Sequence, residues 1–247
     1  ETGRKVTMTI PWNRVLIEGA VIVLSILLAF AIDAWWAGVG AQKQEQLALD
    51  GIETDFAVYL EELAHDRELN QARAESARAL VKLSGENSGQ IDTVRFEDLL
   101  SRVLIYSPII IPAGTLGSLL ETDGLAVITD PTLRLELVAW TQVLDYSEEL
   151  NAYQVEQSRE LDAFLKPRYP MAGMLRKISR QTPSTDEQTN GAAFTADAMK
   201  LLQDQEFANH VVYAEGASIA MIQGIDRMVK QGEQVLSLVR KRSAELK

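Results

Sequence analysis

Few residues in this chain have the types or spacing to do chemistry. Its 247 residues include two histidines, His65 and His210, and no cysteine. Without cysteine there is no disulfide, thiolate zinc site or iron–sulfur cluster. His65 stands in "AHDREL", and a His-Asp pair can serve a metal phosphohydrolase, but that chemistry needs further histidines that the chain lacks. Glu206, His210 and Glu215 lie along part of one helical stretch, where a metal would still need ligands converging from elsewhere. Serines and aspartates are too common for any Ser/His/Asp set to stand out. The carboxylate pairs Glu61–Glu62 and Glu148–Glu149 read as solvated helix faces. No dinucleotide or phosphate-loop motif is present. The expectation is therefore no catalytic residues, no metal site and no cofactor. The net charge of −11 argues against a nucleic-acid partner, because phosphate binding needs a surplus of Lys and Arg.

The most informative polar residues lie inside an apolar run. "IEGAVIVLSILLAFAIDAWW", Ile17 to Trp36, carries Glu18 at its start and Asp33 near its end. The surrounding stretch from Val15 to Val39 is long enough for a membrane, since about 20 residues at ~1.5 Å each cross a ~30 Å hydrocarbon core. Arg4, Lys5 and Arg14 precede it, and Glu45, Asp50, Glu53 and Asp55 follow it. The positive-inside bias then places residues 1–14 in the cytoplasm, 15–39 in the bilayer and 40–247 outside, in the periplasm of a bacterium. Trp12 and Arg14 at one edge and Trp35 at the other, beside Trp36, suit interface anchors. The rival reading is a cleaved signal peptide. The apolar run is longer than its usual core, and a Trp pair occupies the place of small cleavage-site residues.

On a helix, Glu18, Ser25, Ala29, Asp33 and Trp36 advance by seven, four, four and three, so they share one stripe. Val, Ile, Leu and Phe fill the other faces. Small and polar residues on one side of a membrane helix face protein, not lipid. The stripe thus predicts a second copy or another inner-membrane protein as partner. Glu18 lies one turn after Arg14, and an i,i+4 pair is the simpler reading. Lining an ion or proton path in a ring of copies is the alternative.

The rest of the chain must position these groups, and its pattern is helical throughout. Ala, Leu, Glu and Gln are frequent. No proline occurs between Trp12 and Ser107, so one helix can leave the membrane and continue to the loop "SGENSGQ", with Gly38, Gly40 and Gly51 as possible flex points. Apolar residues recur at largely helical spacing at Ile52, Phe56, Tyr59, Leu60, Leu63, Leu69, Ala77, Leu80 and Val81. Asp92 or Thr93 caps a second helix, "VRFEDLLSRVLIY". "SPIIIP" is non-helical. A short helix opens after Pro112 and ends at Gly124, whose left-handed conformation would cap it. Asp130 as cap and Pro131 in the first turn open a long helix to about Leu165, with Arg134 reaching the carbonyls or carboxylates of the connector. "MAGMLRKIS" forms one or two turns, and "QTPSTDEQTNGA" is a loop. Thr195 to Lys247 closes the chain as an amphipathic helix whose basic end, "VRKRSAELK", suits a helix C-terminus, with anionic lipid or an acidic partner as the second reading. The expected fold is all-α: a transmembrane helix continuing into a periplasmic bundle with long antiparallel helices.

Two stretches resemble a known family. Glu18, Ser25 and "IDAWW" in the span, and "SLLETDGLAVITDPTLRLEL" from Ser118 to Leu137, are similar to the bacterial domain-of-unknown-function 6090 type of single-span, membrane-anchored helical proteins. This chain departs from that pattern at Asp33, where Asn is usual. The resemblance implies the fold and the topology. It carries over no catalytic residue.

Together these features predict a non-enzymatic membrane-anchored protein that self-associates or serves as an accessory subunit of a larger inner-membrane complex. Two alternatives belong to other classes: an ion-coupled subunit using Glu18, and a periplasmic sensor or hydrolase with a site assembled from scattered residues.

Overall fold

The computed structural model describes residues 12–85, 91–112, 114–122, 124–171 and 197–246, with side chains from residue 18 onward. All regular elements among them are helical. They are α1 (Trp12–Gly85), α2 (Thr93–Leu104), α3 (Gly114–Glu121), a 3₁₀ turn (Gly124–Val127), α4 (Pro131–Leu165), α5 (Ala198–Leu202) and α6 (Gln205–Glu245).

The long first helix expected from the missing prolines is present as 74 continuous residues. It passes through Gly38, Gly40 and Gly51 and stops at Gly85, where the loop chemistry begins. No break in the backbone marks residue 39, where the sequence places the end of the span. Aspartates set the other starts. Asp92 accepts from the amides of Val94 and Arg95, Asp130 from those of Thr132 and Leu133, and Asp204 from those of Glu206 and Phe207. Each cap contributes about 1 kcal/mol. "MAGMLRKIS" after Met171 and the "QTPSTDEQTNGA" loop lie outside the described residues.

Two expectations are corrected. The closing stretch from Thr195 is not one helix, because Asp204 caps a new start and separates α5 from α6. Gly124 does not adopt the left-handed conformation. α3 ends at Glu121, and Gly124 opens the 3₁₀ turn instead. Its small size matters for a different reason, since a Cβ there would meet Leu119 and the Thr122 hydroxyl. The left-handed glycine is Gly114, at the start of α3, with φ +52°. A Cβ on Gly114 would overlap the Asp55 carboxylate and approach the Tyr59 hydroxyl. Gly114→Ala should therefore lower stability by about 2 kcal/mol, from left-handed strain plus crowding. A denaturation midpoint unchanged by this substitution would contradict the assignment.

The core follows a heptad rule. On α1 the buried residues Glu45, Leu49, Ile52, Phe56, Tyr59, Leu63, Asp66, Asn70, Arg73, Ala77 and Leu80 alternate steps of four and three. On α6 the buried residues Phe207, Val211, Ala214, Ser218, Met221, Ile225, Met228, Gly232, Val235 and Val239 do the same. A repeat averaging 3.5 keeps one seam facing its partner over many turns. Accordingly, α1 and α6 share the most extensive contact of any two elements, and α4 packs against α6 next. Residue numbers rise on α1 as they fall on α6: Glu45 meets Arg242, Glu53 meets Arg240, Arg67 meets Asp226 and Arg78 meets Glu215.

Two apolar clusters fill the seam. One gathers Leu49, Ile52, Phe56, Leu63, Trp140, Ile225 and Val235, with the Phe56 and Trp140 rings 4.7 Å apart. The other gathers Leu80, Phe96, Leu100, Leu161, Phe164, Phe207 and Val211. Each fully buried large side chain contributes about 1.5–3 kcal/mol. Between the clusters lies a polar layer.

Candidate functional site: the exposed span and the polar layers of the bundle

Glu18, Ser25, Ala29, Asp33 and Trp36 all lie on α1 and are all exposed, as is every other side chain from 18 to 44. This is the one helix among the described residues long and apolar enough to cross a membrane, and none of its apolar window is buried against the rest of the chain. Val21, Leu24, Leu27, Leu28, Phe30 and Ile32 thus have no protein cover. An exposed apolar surface of this extent is consistent with a membrane anchor. Ser25 satisfies its own hydroxyl by donating to the Val21 carbonyl at 2.8 Å. That leaves a small, self-contained group on the stripe, of the kind that lets helices approach closely. The Trp35 and Trp36 rings meet edge-on at 5.3 Å. Trp12 and Arg14 lie in the first turns of α1, and their side chains, including the proposed Arg14–Glu18 pair, fall outside the described residues.

Six residues beyond Val39, or ~9 Å along the helix, α1 meets a polar clamp. Glu45 is 1% exposed. Its carboxylate accepts from the Thr129 amide at 2.9 Å, from the Thr129 hydroxyl, and from the Arg242 guanidinium through Nε and Nη2, both at 3.0 Å. Arg242 also donates to Thr129 Oγ1 at 2.6 Å and to Glu245 at 3.2 Å. Burial alone would raise the Glu45 pKa, but the Arg242 and Thr129 donors outweigh it and hold the carboxyl below its ordinary value. The Glu45 hydrogen bonds also raise the Arg242 pKa. One buried carboxylate thereby ties together α1, the corner before α4 and the end of α6. Fork-to-fork geometry of this kind is the strong form of an ion pair.

The corner motif belongs to this clamp. Asp130 caps α4, Pro131 occupies its first turn, and Arg134 Nη2 reaches the Thr129 carbonyl at 3.5 Å. Ile128 is fully buried beneath, with Leu125 and Val127 packed at its side. The residues of the corner were legible in the sequence. Its partner, Glu45, was not, because nothing local links positions 45, 129 and 242.

The second polar layer is deeper. Arg73 is 2% exposed. Its Nε donates to the Val103 carbonyl at 2.8 Å and its Nη2 to Ser158 at 3.0 Å. The amides of Asn70 and Gln154 meet at 2.6 Å. In the orientation that satisfies both ends of its amide, Gln154 accepts from Arg73 Nη1 and donates to the Ser107 carbonyl, each at 3.2 Å. Ser107 in turn donates to Asp66 at 2.7 Å. Burial lowers the Arg73 pKa to about 10 and raises that of Asp66 against the pull of Ser107 and His65. Asp66, Asn70 and Arg73 occupy heptad positions. Polar groups there fix register at some cost in stability. The signal in the sequence was the gap in the apolar stripe between Leu63 and Ala77, filled on the same face by these three.

Beside this layer an open cleft of about 580 Å³ is lined by Val58, Glu61, Glu62, His65, Asp66 and Ser107. Among the described residues no group of three or more His, Asp and Glu could hold a metal ion. His210 packs against the Phe164 ring at 5.1 Å. Comparison with known proteins adds no analogy: the sequence matches no protein-family model, no curated protein and no solved structure.

Proposed function

We propose that this protein is a non-enzymatic, single-span membrane protein of the domain-of-unknown-function 6090 type. In this reading a rigid antiparallel bundle stands on the periplasmic face of the inner membrane, and the polar–small stripe of the span joins it to a second copy or to another inner-membrane protein. The observation that carries the reading is the continuity of α1. One helix has every side chain from 18 to 44 exposed and then enters a sealed heptad seam at Glu45. The opposed numbering of the α1–α6 ion pairs supports the antiparallel arrangement. The Glu45 clamp supports a rigid connection, because it braces α1 immediately outside the apolar stretch.

The role of the stripe is open to direct test. Ser25→Leu with Ala29→Leu fills the surface that close helix approach requires. It should weaken association about tenfold, the effect of losing ~1–2 kcal/mol of packing in a bilayer. Purified in mild detergent, the intact chain should run as an oligomer or with a bound membrane partner. A lone monomer, unchanged by the double substitution, would refute the proposal.

A further inference from the structure

We infer that the partner of the span is a different protein, and that a segment of it rich in basic and apolar residues fills the open cleft between α1 and residues 105–112. This rests on the span reading above and names the partner's chemistry. The link is the continuity of α1. At about 100° per residue, Val58, Glu61 and His65 lie within about 40° of the direction of Glu18, on the stripe's own side. The buried seam from Glu45 to Leu63 centres about 180° away. Exposure agrees, since Leu47, Thr54, Val58, Glu61, His65 and Leu69 are all exposed along this line. α1 has no break between the two regions, and Val58 stands ~33 Å beyond Trp36. A partner seated on the stripe and extending beyond the bilayer thus meets the cleft on the same side.

The cleft has two fixed walls. One is the outer flank of α1, and the other is the extended segment that follows α2. The Asn151 amide brackets Ile109, accepting from its N–H and donating to its carbonyl, each at 2.8 Å. Tyr59 donates to the Pro112 carbonyl, and Ser107 donates to Asp66. Ile109 is thereby turned inward and Ile110 outward, 4% and 68% exposed. Val58, Pro108, Ile110 and Pro112 make an apolar lining, Glu61, Glu62 and Asp66 an acidic one, and no Lys or Arg lines the cleft.

The wider face has the same sign. Between Val39 and Ala72, the stripe side of α1 carries Asp50, Glu61, Glu62 and Glu68 against one cation, Lys43, ~27 Å below Glu61. Among the described residues these four carboxylates make no ion pair, Asp50 accepting from Gln46. Arg102, beside the next hollow along α1, is paired with Asp98. A second copy does not suit this face. Parallel copies paired through it set Glu61, Glu62 and Glu68 against their own equivalents, and like charges across an interface repel. Lys or Arg interleaved with apolar side chains complements both linings of the cleft.

The test places a photo-crosslinking residue at Ala29 or at Val58 of the intact chain in native membranes. Tyr213, 58% exposed on α6, serves as the reference position. Adducts are identified by mass spectrometry. The expected result is one and the same protein, not this chain, from positions 29 and 58, and little of it from 213. Its crosslinked segment at 58 should carry Lys or Arg. Glu61→Lys with Glu62→Lys should lower the yield at 58 about tenfold, and Glu61→Gln with Glu62→Gln should lower it less. Both side chains are exposed, so the denaturation midpoint should hold. The Gln pair carries the test if the Lys pair shifts that midpoint. A partner adduct at 29 with none at 58, adducts between two copies at 58, or a yield unmoved by the substitutions would overturn the inference and leave the span reading intact. Lipid adducts alone at 29 would overturn the span reading, and this inference with it.

Discussion

Glu45→Ala should cost the bundle about 3 kcal/mol, the lower end of what breaking a buried ion pair costs. The substitution strands the Thr129 amide and leaves the Arg242 guanidinium, whose side chain is 21% exposed, with Glu245 and the Thr129 hydroxyl in place of a buried carboxylate. In a double-mutant cycle with Arg242→Ala, the two losses should not add. The coupling should fall at the upper end of the 0.5–3 kcal/mol range seen for residues in one network. Trp140, buried against Phe56, supplies the fluorescence signal for denaturation of the intact chain in detergent. Additive losses would mean that the two side chains do not act as a clamp.

The same pair predicts a pH dependence. The folded pKa of Glu45 is lowered, so its contribution to stability is present above the unfolded value near 4.5 and is lost as pH falls through the folded one. Asp66 works in the opposite sense. Its folded pKa is raised, so its contribution is full below its unfolded value and declines as pH rises through the folded one. Removing the Glu45 carboxyl as Glu45→Gln should flatten the acid limb of the stability profile. An acid limb of unchanged steepness in this variant would contradict the assignment.

Arg73→Ala is the second large effect, also about 3 kcal/mol. Three terms set it. The Val103 carbonyl loses its donor inside a closed core, at ~1–3 kcal/mol for a group left unsatisfied, while the Ser158 hydroxyl keeps the bond that it donates to the Gln154 carbonyl. The apolar stem leaves a void between the two clusters. Release of a buried cation offsets part of the loss, as its lowered pKa requires. Arg73→Lys should recover little, because an ammonium cannot serve the Val103 carbonyl, Ser158 and Gln154 with the geometry of a planar fork. Stability within 0.5 kcal/mol of the parent for either variant would show that the polar layer is not a unit.

Much of this fold was legible because its punctuation is local. Asp92 and Asp130–Pro131 announce helix starts through their own side-chain chemistry, and Gly85 with its polar neighbours ends α1. The break at Gln203–Asp204 that separates α5 from α6 was missed, although Asp204 carries the same capping signal. Gly124 was read as a left-handed cap because glycine after a helix suits that role, while the chain places the strained glycine at the start of α3, at Gly114. What the sequence hid is tertiary. Glu45 read as one of several acidic residues flanking a span, and only the fold brings it to residues 129 and 242. Asp66, Asn70 and Arg73 broke an apolar stripe, and the break became meaningful only when Ser107, Gln154 and Ser158 arrived from other elements.

The central claim is that the stripe on the span faces protein and the opposite face lies in lipid. A photo-crosslinking residue placed at Ala29, on the stripe, or at Leu27, about half a turn away, tests it in native membranes. The expected result is protein adducts from position 29 and lipid adducts alone from position 27. Lipid adducts alone from both positions, or protein adducts from both in equal yield, would contradict it.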